Sequence, residues 1–510
     1  MLSAFPVALE KQRREIEEIA RQQGLDFFDT IFEVVDFEQI TQIAAYGGFP
    51  QRYPHWRFGM DYERLRKQHT YGLGKIYEMV INTDPCYAYL LSDNEAVDQK
   101  IVMAHVFAHC DFFKNNVWFS KTSRRMMDGM ANHATRIHRH IDREGYEAIE
   151  RFLDVCLSLE NLIDPYAPFM NRSEPRRTPP PRPTLRQQVE RATRFPAKPY
   201  MERYINPPAI LRAEREREEQ AEKAARAAFP AQPQRDVLGF LLRYAPLEDW
   251  QADCLDIVRD EAYYFAPQGM TKIMNEGWAT FWHSRMMTRH LLRDEELITY
   301  ADHHSGTLAT GPGRLNPYKL GVELFRDIED RWNRGRFGKE YDECESIERR
   351  RTWNTGLNEG LKKIFEVRRV FNDVTFIDEF LTPEFVDRYQ LYHYRRDPAT
   401  GRMVVVNRDF DTIKQTMLFM LTNHGQPYIY IVDGNYANRG ELYLAHKHIG
   451  VDLDIKYATE CLTNLQKLWR RPVHLQARIK DDMLLFSSSG DGVSQQKVKD
   501  DTPKPAHVNV

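Results

Sequence analysis

The chain has 510 residues, 42% hydrophobic and 28% charged, with a net charge of −3. That length supports a large core and two domains, while the near-neutral balance gives no basic field and so no expected nucleic-acid partner. No apolar run of about eighteen residues is present, so no integral membrane segment is expected, and the early charges up to Arg14 do not read as a signal peptide.

The six cysteines, at positions 86, 110, 156, 254, 344 and 461, contain no CxxC pair. They read as reduced thiols of a cytoplasmic protein. Residues 8–23 carry a charged helical pattern, and Phe27 to Ala45 repeats it with aromatics. Residues 46–60 form a Gly/Pro/aromatic loop. Ile76 to Leu91 reads as strand, with Val80, Ile81, Tyr87, Tyr89 and Leu90 forming a hairpin around Asn82-Thr83-Asp84-Pro85. Asn94 to Phe113 and residues 123–162 read as helices. At about residue 170 the composition turns rich in Pro and Arg, then highly charged, and 171–235 reads as a solvated insertion. Residues 247–292 and 317–372 are mostly helical in pattern. Strands are expected at Met403–Asn407, Pro427–Val432, Glu441–His446 and within Val473–Phe486, with helices at 411–421 and 454–468.

Two stretches carry chemistry. His105 and His109 sit at i and i+4, which turns two imidazoles to one face of a helix, the spacing of a helical metal site. The plain alternative is one core histidine and one facing solvent. Asn275-Glu-Gly-Trp-Ala279 sets Glu276 among tryptophans, and a carboxylate there is costly unless a cation or donors hold it. Its plain alternative is a helix-start carboxylate satisfied by backbone N–H groups. Together the stretches suggest a two-His, one-carboxylate site on two helices. A metallopeptidase helix usually carries Glu beside its first His as general base, and here that residue is Val106. Glu261, followed by Tyr263, Tyr264 and Phe265, is the replacement expected, with a pKa raised by desolvation; pairing with Arg259 or Lys272 is equally open. Asp111 or Asn115 is a candidate to orient an imidazole, and His133 and His283 read first as core histidines, with a fourth ligand as the alternative. Arg314 and Tyr318 are candidate substrate-binding groups, a carboxylate fork and a phenol donor; a surface loop with a helix cap at Asn316 explains them as well.

These segments resemble the stage V sporulation protein R (SpoVR) family. The resemblance rests on His105-Val-Phe-Ala-His-Cys-Asp-Phe-Phe-Lys-Asn-Asn116, Glu261-Ala-Tyr-Tyr-Phe265, Thr271-Lys-Ile-Met-Asn-Glu-Gly-Trp-Ala279, Asn316-Pro-Tyr-Lys-Leu-Gly321 and Ile328-Glu329. It runs from about residue 5 to 485 and implies a link to spore cortex formation in spore formers, though the family also occurs in bacteria without spores. A fainter resemblance is to metallo-hydrolases with a histidine-pair helix, a Glu-Gly-Trp-Ala helix and a Tyr-Lys-hydrophobic-Gly helix. It implies His105, His109 and Glu276 as ligands of a divalent metal, zinc first.

The expected fold is therefore α+β: a mainly helical, zincin-like N-terminal body (1–170 and 236–390) interrupted by the insertion, a small C-terminal α/β module (391–486) and a disordered tail (487–510). The leading expectation is a metal-dependent hydrolase of peptide or amide bonds acting on a cell-wall-related substrate. Its rival is a non-catalytic, zincin-like scaffold or regulatory protein with a protein partner in envelope or stress physiology.

Overall fold

The computed structural model describes residues 5–70, 78–170, 201, 207 and 229–498. Most of the insertion expected at 171–235, and the chain beyond 498, lie outside the described residues. The fold is mixed α+β, mainly helical, with a C-terminal sheet. The chain divides into two compact units: Met1–Leu153 with Asp260–Gln426, and Asp154–Arg259 with Pro427–Val510.

In the first unit, β1 (Thr30–Val35) runs parallel to β3 (Cys86–Leu91), and β2 (Glu78–Ile81) lies antiparallel on β3's other side. β1 corrects the helix expected over 27–45. Ile31, Phe32, Val34 and Val35 are β-formers, and Asp36 then starts a separate helix, Phe37–Ala45, with a capping box: its carboxylate accepts from Gln39 N at 2.8 Å, and Gln39 Oε1 accepts from Asp36 N at 3.1 Å. The partner strand that settles the matter is more than fifty residues away, beyond any local periodicity.

Three helices form the centre of this unit. The histidine helix, Ala96–Asn115, and the glutamate helix, Lys272–Met286, are buried around nearly their whole circumference, polar side chains included, so those polar groups need partners inside the protein. The tyrosine helix, Pro317–Arg334, is amphipathic and buries Leu320, Gly321, Val322, Leu324, Phe325 and Ile328. Asn316 caps it, accepting from the backbone N–H of Tyr318 at 2.9 Å and of Lys319 at 3.3 Å.

Glycine sets the closest crossing. A β-carbon at Gly277 would strike the backbone of Gly321, and one at Gly321 would strike the Ile273 carbonyl and Gly277. The Gly of Glu-Gly-Trp-Ala and the Gly of Tyr-Lys-Leu-Gly are thus one packing device. It lets the glutamate and tyrosine helices touch backbone to backbone.

Two carboxylates fix the glutamate helix further. Asp373 accepts from the backbone N–H groups of Ile273 (2.8 Å) and Met274 (2.9 Å), satisfying donors that a helix start leaves open. Asp111, on the histidine helix, accepts from Trp278 Nε1 at 2.8 Å and lies 3.1 Å from the Arg368 guanidinium. The residue two after His109 therefore grips the residue two after Glu276. A hairpin, β4 (His393–Arg396) and β5 (Met403–Asn407), also belongs to this unit. Residues 391–426, read from sequence as the start of the α/β module, group with the helical body.

The second unit holds a five-stranded sheet, order β10-β9-β8-β7-β6. The strands are β6 (Tyr428–Tyr436), β7 (Glu441–Lys447), β8 (Val473–Ile479), β9 (Asp482–Ser488) and β10 (Val493–Lys497). The helix Ile455–Trp469 joins the parallel pair β7 and β8, which a tight turn cannot do. It buries Leu462, Leu465 and Leu468, and Leu442, Leu444, Val473, Leu475 and Phe486 are buried apolar residues of the sheet. The disordered tail expected from residue 487 is corrected over the described residues: Ser487 and Ser488 end β9, and β10 pairs antiparallel with it. β10 reads Val-Ser-Gln-Gln-Lys. A polar edge strand of this kind carries no apolar alternation for sequence reading to find. Among the described residues, no helix is long and apolar enough to cross a membrane.

Candidate metal centre

His105 and His109 are one turn apart on the histidine helix, so their rings share a face. The Gly277–Gly321 crossing and the Asp111–Trp278 bond bring Glu276 opposite them. All three side chains are buried, with relative exposures of 5%, 5% and 6%. Glu276 Oε2 lies 3.6 Å from His105 Nε2 and 3.5 Å from His109 Nε2. Those gaps exceed good hydrogen-bond lengths. They are close to the donor–donor edge of a tetrahedral site, about 3.4 Å when each bond is about 2.1 Å. Among the described residues this is the only group of three His, Cys, Asp or Glu whose ligand atoms lie within 4.8 Å of one another.

The other nitrogen of each ring has a partner. His109 Nδ1 is 2.9 Å from Asn275 Oδ1, and His105 Nδ1 is 2.8 Å from His283 Nδ1. His283 Nε2 is in turn 3.2 Å from His304 Nδ1. For the Nε2 lone pairs of His105 and His109 to face Glu276, each Nδ1 must carry the proton. His109 then donates to Asn275, His105 to His283, and His283 to His304, a single direction along the row. Partners of this kind fix ring orientation and tautomer in metal sites.

Burial and close neighbours shift the titration of these groups. Burial, reinforced by the neighbouring His109, pushes the His105 pKa down to about 4. His283 is held well below its ordinary value by burial and by the rings of His105 and His304. Burial alone would raise Glu276, but His105, His109 and Lys272 outweigh it and hold the carboxyl well below the usual range. Lys272 Nζ lies 2.6 Å from Glu276 Oε1, and its side chain is 57% exposed, which marks the solvent side. The Tyr318 ring lies nearly parallel to His105, centroids 6.3 Å apart.

The structure thus gathers His105, His109, Glu276 and Tyr318. It places the other two candidates elsewhere. Arg314 is exposed and lines a groove with Lys319, Glu323, Phe385 and Tyr389; His105, His109 and Glu276 are not among its walls. Glu261 is buried but bonded to the Arg52 guanidinium, to His133 Nδ1 at 3.2 Å and to the Tyr53 hydroxyl at 3.3 Å. Its expected raised pKa is corrected: burial does push upward, but Arg52 and His133 outweigh it and the carboxyl sits below its ordinary value. Neither foreseen partner holds it, since Arg259 pairs with Asp236 and Lys272 with Glu276. Asp111 and Asn115 hydrogen-bond to Trp278, Arg368 and the Asp26 segment, and the orienting partners are Asn275 and His283. Asn275 was present in the motif itself. The Nδ1-to-Nδ1 contact of His283 leaves no trace in spacing. Val106 is fully buried core.

Comparison with known proteins agrees with the motifs. A family model described as SpoVR like protein matches residues 5–426, and one described as SpoVR-like C-terminal domain matches residues 427–480. The chain is 32% identical over 401 residues to the Uncharacterized protein YcgB of Escherichia coli (strain K12), an alignment covering 74% of this chain and 72% of that one. No solved structure matches.

Proposed function

The chain belongs to the SpoVR family, and on that premise we propose that it binds one divalent ion through His105, His109 and Glu276 and hydrolyses peptide or amide bonds. The observation that carries the reading is the pair of 3.5–3.6 Å gaps between three buried donors whose outer atoms are already engaged. Two imidazoles and a carboxylate suit zinc and related ions. The order of the histidine-pair, Glu-Gly-Trp-Ala and Tyr-Lys-Leu-Gly helices supports a zincin-like core. A bound ion would supply Lewis acidity toward a carbonyl and toward water. The chain's own part is orientation. Asn275 and His283 hold the rings, Tyr318 stands beside His105 as a donor, and Lys272 marks the solvent side. Cell-wall peptides are the first substrates to test, given the family's tie to spore cortex.

The rival reading, a metal-holding scaffold in a cytoplasmic partner complex, draws on Val106 in the core and on Glu261 fully engaged by Arg52 and His133. Metal-loaded protein incubated with cell-wall peptides separates the two. Turnover that is lost in Glu276→Gln supports the hydrolase. Stoichiometric metal with no amide cleavage supports the scaffold.

A further inference from the structure

The sheet of the second unit has two unlike faces. Side chains alternate along a strand, so Leu442 and Leu444 of β7 fall on one face while Glu441 and Tyr443 fall on the other. The register puts Tyr443 opposite His474 on β8, and His474 opposite Ser487 on β9. Glu441, His474 and Ser487 therefore meet on one surface, across three adjacent strands. Ser487 Oγ is 2.8 Å from His474 Nδ1, and His474 Nε2 is 2.9 Å from Glu441 Oε2. Arg439 grips Glu441 with two bonds, Nε to Oε1 at 2.6 Å and Nη2 to Oε2 at 2.8 Å. Its guanidinium and His474 together outweigh burial and keep the Glu441 carboxyl below its usual range. Glu441 and His474 are buried, and Ser487 is half-buried. Tyr436 stacks on Tyr443 at 4.6 Å and lies 5.1 Å from the His474 ring, giving the site an aromatic wall.

We propose that Ser487, His474 and Glu441 are a nucleophile, a base and its orienting carboxylate, forming an acyl-transfer site that takes carboxylic esters with an apolar or aromatic acyl part. Ionised Glu441 holds the proton of His474 on Nε2, which leaves the Nδ1 lone pair facing the serine. Ser487 Oγ attacks the ester carbonyl and its proton passes to Nδ1. The carbon–oxygen bond to the alcohol then breaks, and that same proton leaves with the alcohol. Water attacks the acyl-serine next. It gives one proton through Nδ1 back to Ser487 and releases the carboxylic acid, so the cycle consumes only ester and water. The roles of the two ring nitrogens are exchanged relative to the Ser–His–Asp pattern in which Nε2 faces the serine; either nitrogen serves as base when the other is held protonated. Glu441 and His474 lie inside the matched C-terminal region and Ser487 lies just beyond it. The array shares no residue with His105, His109 and Glu276, so it stands or falls apart from the metal reading.

A fluorophosphonate probe applied to the full folded chain tests this. The expected result is a phosphonyl adduct on Ser487 with loss of fluoride, located by peptide mass spectrometry and unaffected by a chelator. Ser487→Ala should remove it, and His474→Gln should slow it by at least ~100-fold, the usual worth of a positioned base. No adduct on Ser487 in the folded wild-type chain overturns the proposal, whatever the variants do. Labelling of His474→Gln at the wild-type rate also overturns it, leaving a cross-strand polar network. Loss of labelling on chelation would do the same by assigning the reaction to a metal.

Discussion

Glu276 and Glu261 invite comparison because by most measures they are alike. Both are carboxylates buried to 6% exposure or less, both have a histidine within reach, and both sit below their ordinary pKa. They differ in what completes them. Glu261 meets a full guanidinium charge from Arg52, a ring nitrogen of His133 and the hydroxyl of Tyr53. Glu276 faces two imidazoles at separations too long for good hydrogen bonds, with Lys272 on its solvent side. One carboxylate is matched by a guanidinium of the chain itself, and the other faces two donors at a spacing that suits the proposed divalent ion. Burial and a shifted pKa do not tell a site from a structural ion pair; donor spacing is the feature that differs here.

The largest expected effect tests the guanidinium-matched carboxylate. Arg52→Ala leaves a buried carboxylate without its counter-charge, which costs about 3–5 kcal/mol in denaturant unfolding. A cost below about 1 kcal/mol would make the two carboxylates equivalent. Next comes the crossing that positions Glu276. Gly277→Ala forces a methyl into the Gly321 backbone and should cost about 2–3 kcal/mol, with weakened metal binding as a second readout. Unchanged metal affinity would show that the crossing does not position Glu276.

A third buried carboxylate, Glu296, behaves as Glu261 should. It is 2.8 Å from Lys100 Nζ and 2.9 Å from Arg293 Nη2. Burial opposes them, yet these partners take its pKa from 4.5 down to about 2. A carboxyl with a lowered folded-state pKa binds fewer protons folded than unfolded. Its contribution is complete above pH 4.5 and is lost as pH falls toward about 2, an effect of about 3 kcal/mol. Glu296→Gln should flatten that part of the stability–pH curve, and an unchanged curve would remove the ion pair from the account. The smallest effect belongs to Glu276→Gln in metal-free protein. Its fully charged partner there is the largely exposed Lys272, so the cost should be well below that of Arg52→Ala. A loss as large as that of Arg52→Ala would mean Glu276 is a structural ion pair too.

The sequence made one half of this comparison readable. The four-residue spacing of His105 and His109 and the motif around Glu276 are local signals, carried by single helices. The C-terminal strands β6 to β9 were legible for the same reason, as short apolar runs between turn residues. Arg52 lies 209 residues from Glu261, and no local pattern predicts that pairing. The aromatic residues after Glu261 suggested desolvation and a raised pKa, but a distant cation reversed the sign. β1 was hidden in the same way, since its partner strand is remote and Ile31, Phe32, Val34 and Val35 also fit a helical spacing. The cross-strand meeting of Ser487 with His474 depends on a register fixed by the whole sheet.

Elemental analysis of protein purified without affinity metals reads the proposed metal centre itself. About one divalent ion per chain is expected, retained when Glu261 is changed to Gln and lost when His109 is changed to Ala. Wild-type protein that takes up no divalent ion, or an ion that survives His109→Ala, would contradict it.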